Sequence, residues 1–418
     1  MVEISTLGAL IGLCIAICLI FKKVNPVYAM ISGALIGGIV GGATITETVS
    51  ILVSGAQSIV PAVLRVLTVG VFAGVLIETG AADKIAETIT QTLGEDKALM
   101  AIILSSCIIC AVGVIIPVTI ITVAPIALII AKKANLSKGS ILIAMLGGGK
   151  SGNIMSPNPN AIAICDGFKI DLSMSMLAGI IPAIFGVLIT YIIAKKMAHK
   201  GDRILGECVI KEAKNLPSFK NAMVGPVFVV AILILNSLLK LNLDPMIILP
   251  LGGVVAVIAM GEFKNLKKYM ASGLMKMQSA AILLLGTGSI AGIISKSALS
   301  EDVIHIINHL GISGVLLASI SGILMGGATA SITGGSVVTS SVFNTSILNM
   351  GVSPVAAAEM VHTGVSVIDD LPHGNLFHIS AESVSLNIKQ RAKLIPYEIL
   401  IGLGMNVVAT IFYGFIIN

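Results

Sequence analysis

Long apolar runs constrain this chain more than any other feature: Leu7–Phe21 with its flanks, Met223–Leu239, Ile247–Met260 and Ile399–Ile417. A hydrocarbon core of about 30 Å is crossed by about 20 helical residues. Inside lipid the backbone must satisfy its own N–H and C=O groups, so such runs fold as helices. A membrane β-barrel would show alternation instead. Composition agrees: 56% of the 418 residues are hydrophobic and only 11% are charged, too few to cover a water-facing surface. The chain reads as an all-α polytopic membrane protein.

No block of basic residues is interleaved with aromatics, so a nucleic-acid partner is not indicated. The cysteines are Cys14, Cys18, Cys107, Cys110, Cys165 and Cys208, nearly all in apolar runs. They read as small filler, and Cys107-x-x-Cys110 has no second pair to complete a metal site. Neither a cofactor nor a metal is expected, and no arrangement of Ser, His and Asp suggests an enzyme. Glu3 precedes the first run, and Lys22 and Lys23 follow it. That is the polarity of a retained first helix with its N-terminus outside, not of a cleaved signal.

The chain repeats itself. Asn25-Pro26 answers Asp244-Pro245, Ala73-Gly74-Val75-Leu76 answers Ala291-Gly292-Ile293-Ile294, and Ser137 answers Ser353. Ser156-Pro157-Asn158-Pro159-Asn160 answers Leu371-Pro372-His373-Gly374-Asn375. The spacing drifts one way, from 219 (Pro26 to Pro245) to 215 (Pro157 to Pro372). Each copy reads as three helices, a bent apolar stretch, a stretch broken by Gly, Asn and Pro, and one long helix. The bent stretches, at about 98–131 and 312–348, are too long for one crossing and are expected to enter and return on one side. Five crossings per copy then force the second copy to be inverted. The expected domains are residues 1–197, a cytoplasmic linker 198–220, and residues 221–418.

Charge placement tests this independently. Counting crossings from an outside N-terminus puts every Lys and Arg on the inner face except Arg65, Lys150, Lys169, Lys240 and Lys296. Inverted repeats with paired broken helices are the architecture of secondary transporters, whose sites lie at the breaks.

The first break, Gly147 to Asn160, offers Lys150, Ser151, Asn153, Ser156, Asn158 and Asn160 as substrate ligands. Lys150 at membrane depth needs an anionic partner, either a substrate carboxylate or an internal Asp, unless it snorkels to an interface. Its Gly-Lys-Ser string lacks the first Gly and the strand of a phosphate loop. The second break carries Asp369, Asp370 and His373, which suit a proton or Na⁺ as coupling ion, with Asn375 as a further substrate ligand. An equally available role for Asp369 is pairing with Lys150. The hairpin Gly326–Ser336 adds Thr329, Ser331 and Thr333 as substrate ligands. Glu359, His362, His378 and Glu382 read as structural or solvated.

These motifs resemble the gluconate permease (GntP) family, within the ion-transporter superfamily. The resemblance is carried by Ser151-Gly152-Asn153 with Ser156–Asn160, by Gly327–Ser331, and by Ile368-Asp369-Asp370-Leu371-Pro372-His373, and it runs over most of the chain. It implies H⁺-coupled symport of gluconate or a related hydroxy acid, a transport region held by two scaffold regions, and a homodimer. The chain departs from the family pattern at Asp370, where relatives carry Thr. The added carboxylate leaves Na⁺ open beside H⁺, so Na⁺-coupled carboxylate symport and Na⁺/H⁺ antiport are the alternatives. The expected location is a bacterial inner membrane, with both termini outside.

Overall fold

The computed structural model describes residues 4–22, 24–93, 97–203, 216–239, 241, 243–297, 313–372 and 374–417. Among the described residues the only regular structure is helix. The first half holds α1 (Thr6–Phe21), α2 (Pro26–Val40), α3 (Ile45–Ser58), α4 (Val60–Glu78), α5 (Ala81–Leu93), α6 (Ala98–Ala111), α7 (Ile116–Lys133), α8 (Lys138–Asn153), α9 (Pro159–Phe168), α10 (Leu172–Ala178) and α11 (Ile180–Met197). The second half holds α12 (Phe219–Leu238), α13 (Pro245–Ala259), α14 (Leu266–Ser295), α15 (Gly314–Thr329), α16 (Ile332–Val342), α17 (Asn344–Asn349), α18 (Pro354–Val365), α19 (Asn375–Ser383), α20 (Ile388–Ala392) and α21 (Ile395–Ile411).

Among the described residues, six helices are long and apolar enough to cross a membrane. Their outer faces carry exposed apolar residues at helical spacing, such as Ile184, Leu188 and Ile192 on α11 and Leu400, Leu403, Val407 and Ile411 on α21. Stripes of this kind would drive aggregation in water and suit lipid. The helix starts follow local chemistry. Ser137, Ser218 and Ser313 accept backbone N–H bonds as N-caps, and Pro opens α2, α9, α13 and α18.

Close helix contacts give the directions. The carbonyl of Ile103 lies against Gly148 and that of Cys107 against Gly152, so α6 runs parallel to α8. The chain turns at Gly113, whose φ of 106° suits glycine, and α7 returns it to Lys132 and Lys133 on the face where α8 begins. The first bent stretch is therefore a hairpin that enters and leaves on one face. At 14 residues, α6 spans about 21 Å, short of a full crossing. Cys110 Sγ bonds Thr119 Oγ1 across the hairpin at 3.2 Å. In the second half, Gly322 meets the Val361 carbonyl and Gly326 that of Val365, so α15 runs parallel to α18, and the chain turns back at Ala330 into α16.

The pattern recurs 216 residues on. Ile103 against Gly148 becomes Ser319 against Gly364, and Ser151 against Gly186 becomes Val367 against Gly402. The orientation is opposite. Ser140 Oγ donates to the Ala194 carbonyl at 2.7 Å, so α8 and α11 are antiparallel. Asn406 Nδ2 donates to the Met360 carbonyl at 2.9 Å while Gly402 meets Ser366, so α18 and α21 are antiparallel. Tyr413 Oη donates to the Ala178 carbonyl at 2.7 Å, while Gly186 meets Met405, so α11 and α21 are antiparallel. Thus α8 and α18 run in opposite directions, and the two hairpins enter from opposite faces. This supports the inverted reading of the halves.

Two elements depart from the sequence expectation. α3 precedes α4, whereas the matching part of the second half is continuous with α14. α3 buries only Thr48, Leu52 and Gly55 on one face, and its Thr, Glu, Ser and Gln hide it from a search for apolar runs. α5 likewise buries only Ala81, Ala82, Ile85 and Ala86. Most of the expected linker, from 204 to 215, falls outside the described residues.

Candidate functional site

Each hairpin tip rests on the break of its own half: Gly113 lies beside Pro157, and Gly374 beside the Ala330 carbonyl. At the first break, α8 ends at Asn153 and α9 resumes at Pro159. Asn158 caps α9, its Oδ1 accepting from the Asn160 and Ala161 N–H groups at 2.9 and 3.0 Å. Its Nδ2 donates to the Asn153 carbonyl and Oδ1 at 2.8 and 2.9 Å. Asn160 Nδ2 donates to the same Asn153 Oδ1 at 2.9 Å, and Thr333 Oγ1 donates to Asn160 Oδ1 at 2.5 Å. Side-chain amides thus replace the helix bonds that Pro157 and Pro159 forbid. Asn153 Nδ2 and Ser156 Oγ are buried and have no hydrogen-bond partner among the described residues.

The second break is built from charge. Lys150, only 1% exposed, donates to Asp369 Oδ1 at 2.6 Å and to the Ser366 carbonyl at 2.9 Å. It does not snorkel; its partner is the internal Asp. Asp370 Oδ2 lies 2.8 Å from Arg391 Nη2. Arg391 also bonds Glu398 through Nη1 and through Nη2 at 3.0 Å, and Ser380 Oγ at 2.8 Å. Its guanidinium lies 4.9 Å from the centre of the Phe377 ring. Asp369, Asp370, Arg391 and Glu398 are all buried. Three buried carboxyl groups therefore meet two cations.

Arg391, counted among the inner-side charges, is buried within the protein at 0% exposure, whereas its neighbours Lys389 and Lys393 are exposed. Its neighbours Lys389 and Lys393 made it look like loop, while Glu398 sits alone in an apolar run, a signal the sequence did offer. Other candidate ligands are occupied locally. Ser151 Oγ donates to the Gly147 carbonyl, Thr329 Oγ1 to the Met325 carbonyl, and Ser331 Oγ caps α16 at Gly334. Asn375 is exposed at the head of α19, and His373 lies outside the described residues.

A cavity of about 1370 Å³ leads toward the first break. It runs between α3, α4 and α14 on one side and α9 and α16 on the other, with exposed Ser54 and Lys296 at its mouth. Its wall includes Ile162, two residues beyond Asn160 on α9. α9 packs parallel to α16 through Thr333–Asn160 and Ser340–Ala163 contacts and so continues the direction of α8. The cavity therefore opens on the face away from Lys138. Arg65 on its wall holds Asp244 through Nε at 3.0 Å and Nη2 at 2.7 Å, and pairs with Asp166 of α9. The hydrogen bond from Arg65 keeps the Asp244 carboxyl below the usual aspartate range.

The profile of the family described as GntP family permease matches residues 4–416. The chain belongs to the GntP permease family. A Haemophilus influenzae protein described as an uncharacterized transporter is 50% identical over 415 residues, 99% of each chain. A second protein from the same organism, an uncharacterized permease, is 21% identical over 356 residues, covering 75% of this chain and 72% of its own. Among solved structures, the Alcanivorax borkumensis YdaH transporter superposes with a TM-score of 0.63 at 15% identity over 89% of each chain, a likeness of fold. The permease is thus a multi-pass membrane transporter whose two breaks differ sharply in chemistry.

Proposed function

We propose that this permease is a secondary active transporter, not an enzyme, that couples H⁺ to symport of a small organic acid such as gluconate or a related hydroxy acid. The observation that carries this reading is the buried Lys150–Asp369 pair at the meeting point of two broken helices. A substrate carboxylate entering from the cavity can replace Asp369 on Lys150. Asp369 then becomes an uncompensated charge, and a proton neutralises it, so anion and proton arrive together. The amides and hydroxyls of Asn153, Ser156, Asn158, Asn160 and Thr333 suit the hydroxyls of such a substrate. In this reading residues 1–197 and 221–418 are inverted copies joined by a cytoplasmic linker at 198–220. The permease works as a homodimer in a bacterial inner membrane, with both termini outside.

The third carboxyl group among Asp369, Asp370 and Glu398, set against two cations, favours one second reading, in which the coupling cation is Na⁺. Proteoliposomes separate the two. Gluconate accumulation driven by an inward pH gradient, and lost in Lys150→Ala, is the expected result. Accumulation that follows a Na⁺ gradient and ignores pH would overturn the proton assignment. Na⁺-driven proton flux without any organic solute would favour antiport.

A further inference from the structure

α18 carries two titratable side chains that the anion site does not use. Glu359 and His362 are both 0% exposed. Neither carboxylate oxygen and neither ring nitrogen has a hydrogen-bond partner among the described residues. Buried polar groups are nearly always paired, so four unpaired atoms within one helical turn call for an occupant.

The two residues are three apart and share one face of α18. The other faces are taken: Gly322 of α15 packs at Val361 and Val365, and Asn406 of α21 bonds the Met360 carbonyl and Thr363 Oγ1. The remaining neighbours of α18 include α9, α10 and α16. α16 brings two more buried hydroxyls without partners, Ser336 and Thr339. The ionisable surroundings are sparse. Cys165 of α9 and Tyr413 beyond α21 lie close enough to feel the charge on Glu359. Asp166 of α9 is paired with Arg65, and Glu398 of α21 with Arg391. Tyr397 opens α21, Asp171 precedes α10, and α10, α15, α16 and α17 carry no titratable side chain. No cation reaches Glu359 among the described residues.

Access and linkage are both present. Cys165 of α9 lines the cavity, and α9 packs against α18, which carries Glu359. The His362 carbonyl accepts from Ser366 Oγ at 3.1 Å, and the Ser366 carbonyl accepts from Lys150 Nζ. One helical turn joins this pair to the anion site.

We propose that Glu359 and His362 form a second protonation site of the transport cycle, distinct from the Asp369 that the substrate displaces from Lys150 and that a proton then neutralises. The Glu359 carboxylate takes one proton from the cavity to become the neutral acid. The His362 imidazole shares that proton, and the site releases it on the opposite face with the substrate. The role rests on the H⁺-coupled reading above.

Two measurements test it separately. Dicyclohexylcarbodiimide reacts with protonated carboxyls in apolar surroundings, and peptide mass mapping locates the adduct on the purified full chain. Between about pH 5 and 9, the range in which a histidine-linked site titrates, Glu359 labelling should fall as pH rises, and His362→Gln should move the midpoint. Labelling that is absent from Glu359, or constant across this range, overturns the site. In proteoliposomes, Glu359→Gln should abolish gluconate accumulation driven by a pH gradient, and Glu359→Asp should restore it with a displaced pH profile. Accumulation by Glu359→Gln equal to that of the wild type also overturns it. A wild type that ignores the pH gradient overturns the coupling reading and this role with it, while the labelling curve independently reports whether the pair titrates.

Discussion

The two breaks solve one problem in two ways. Each interrupts a helix at membrane depth and exposes backbone groups that lipid cannot satisfy. The first break answers with neutral amides: Asn153, Asn158 and Asn160 bond one another, and Thr333 of the opposite half closes the chain. The second answers with ions: Lys150, Asp369, Asp370, Arg391 and Glu398. Amide bonds contribute modestly and tolerate exchange with a ligand's hydroxyls. Buried ions are all-or-none, because removing one partner strands another. The difference suggests a division of labour: a neutral cradle for the body of a substrate, and a charged switch that registers its carboxylate. The halves also interlock. Lys150 comes from the first and Asp369 from the second, while Thr333 of the second serves Asn160 of the first.

That contrast can be broken at either end. The largest effect is expected from Lys150→Ala, which strands Asp369 and should cost about 3–5 kcal/mol, read as a lower melting temperature in detergent. Adding Asp369→Ala should recover most of the stability while uptake stays absent; a double variant as unstable as the single one would deny the pairing. Next comes Asn158→Ala, which removes the cap of α9 and two bonds to Asn153, at about 1–3 kcal/mol. It should weaken protection by gluconate in a thermal-shift assay. Thr333→Val removes one bond at the join between the halves and should cost about 1 kcal/mol. If it costs as much as Lys150→Ala, the neutral break is no gentler than the charged one.

The smallest effect lies at the cavity wall. The Arg65 bond lowers the Asp244 carboxyl below its ordinary value. Its contribution is therefore fully present above that ordinary value and is lost as pH falls through the lowered one. For a pair whose side chains are 26% and 33% exposed this amounts to less than about 1 kcal/mol, and Asp244→Asn should flatten the acid limb of a melting-temperature profile by that amount.

Much of this arrangement was legible because lone polar residues stand out against apolar sequence. Lys150 and Asp369 were visible on those grounds, and the glycines and prolines marked both breaks and both hairpins. Arg391 was not, because flanking lysines disguise a buried cation as a surface loop. Glu359 and His362 each looked ordinary alone; only the helix that sets them on one face, and the lack of any partner there, brings them together. Asn375, which the sequence pairs with Asn160, is exposed whereas Asn160 is buried, so matching residue types did not carry burial with them. α3 escaped notice because an amphipathic helix dilutes its few apolar positions.

The single helix α14 has a consequence of another kind. Its 30 residues extend about 45 Å, half as long again as a typical hydrocarbon core. The surplus lies at its start, where Lys267, Lys268 and Lys276 favour water and headgroups. Near that end it is pinned to α4 by backbone contact at Gly70 and Gly74 against Gly273, and by Lys276 and Ser272 bonding Glu78. A strut clamped in this way cannot adjust its tilt freely. Turnover of the permease should therefore vary with the acyl-chain length of the lipid that surrounds it.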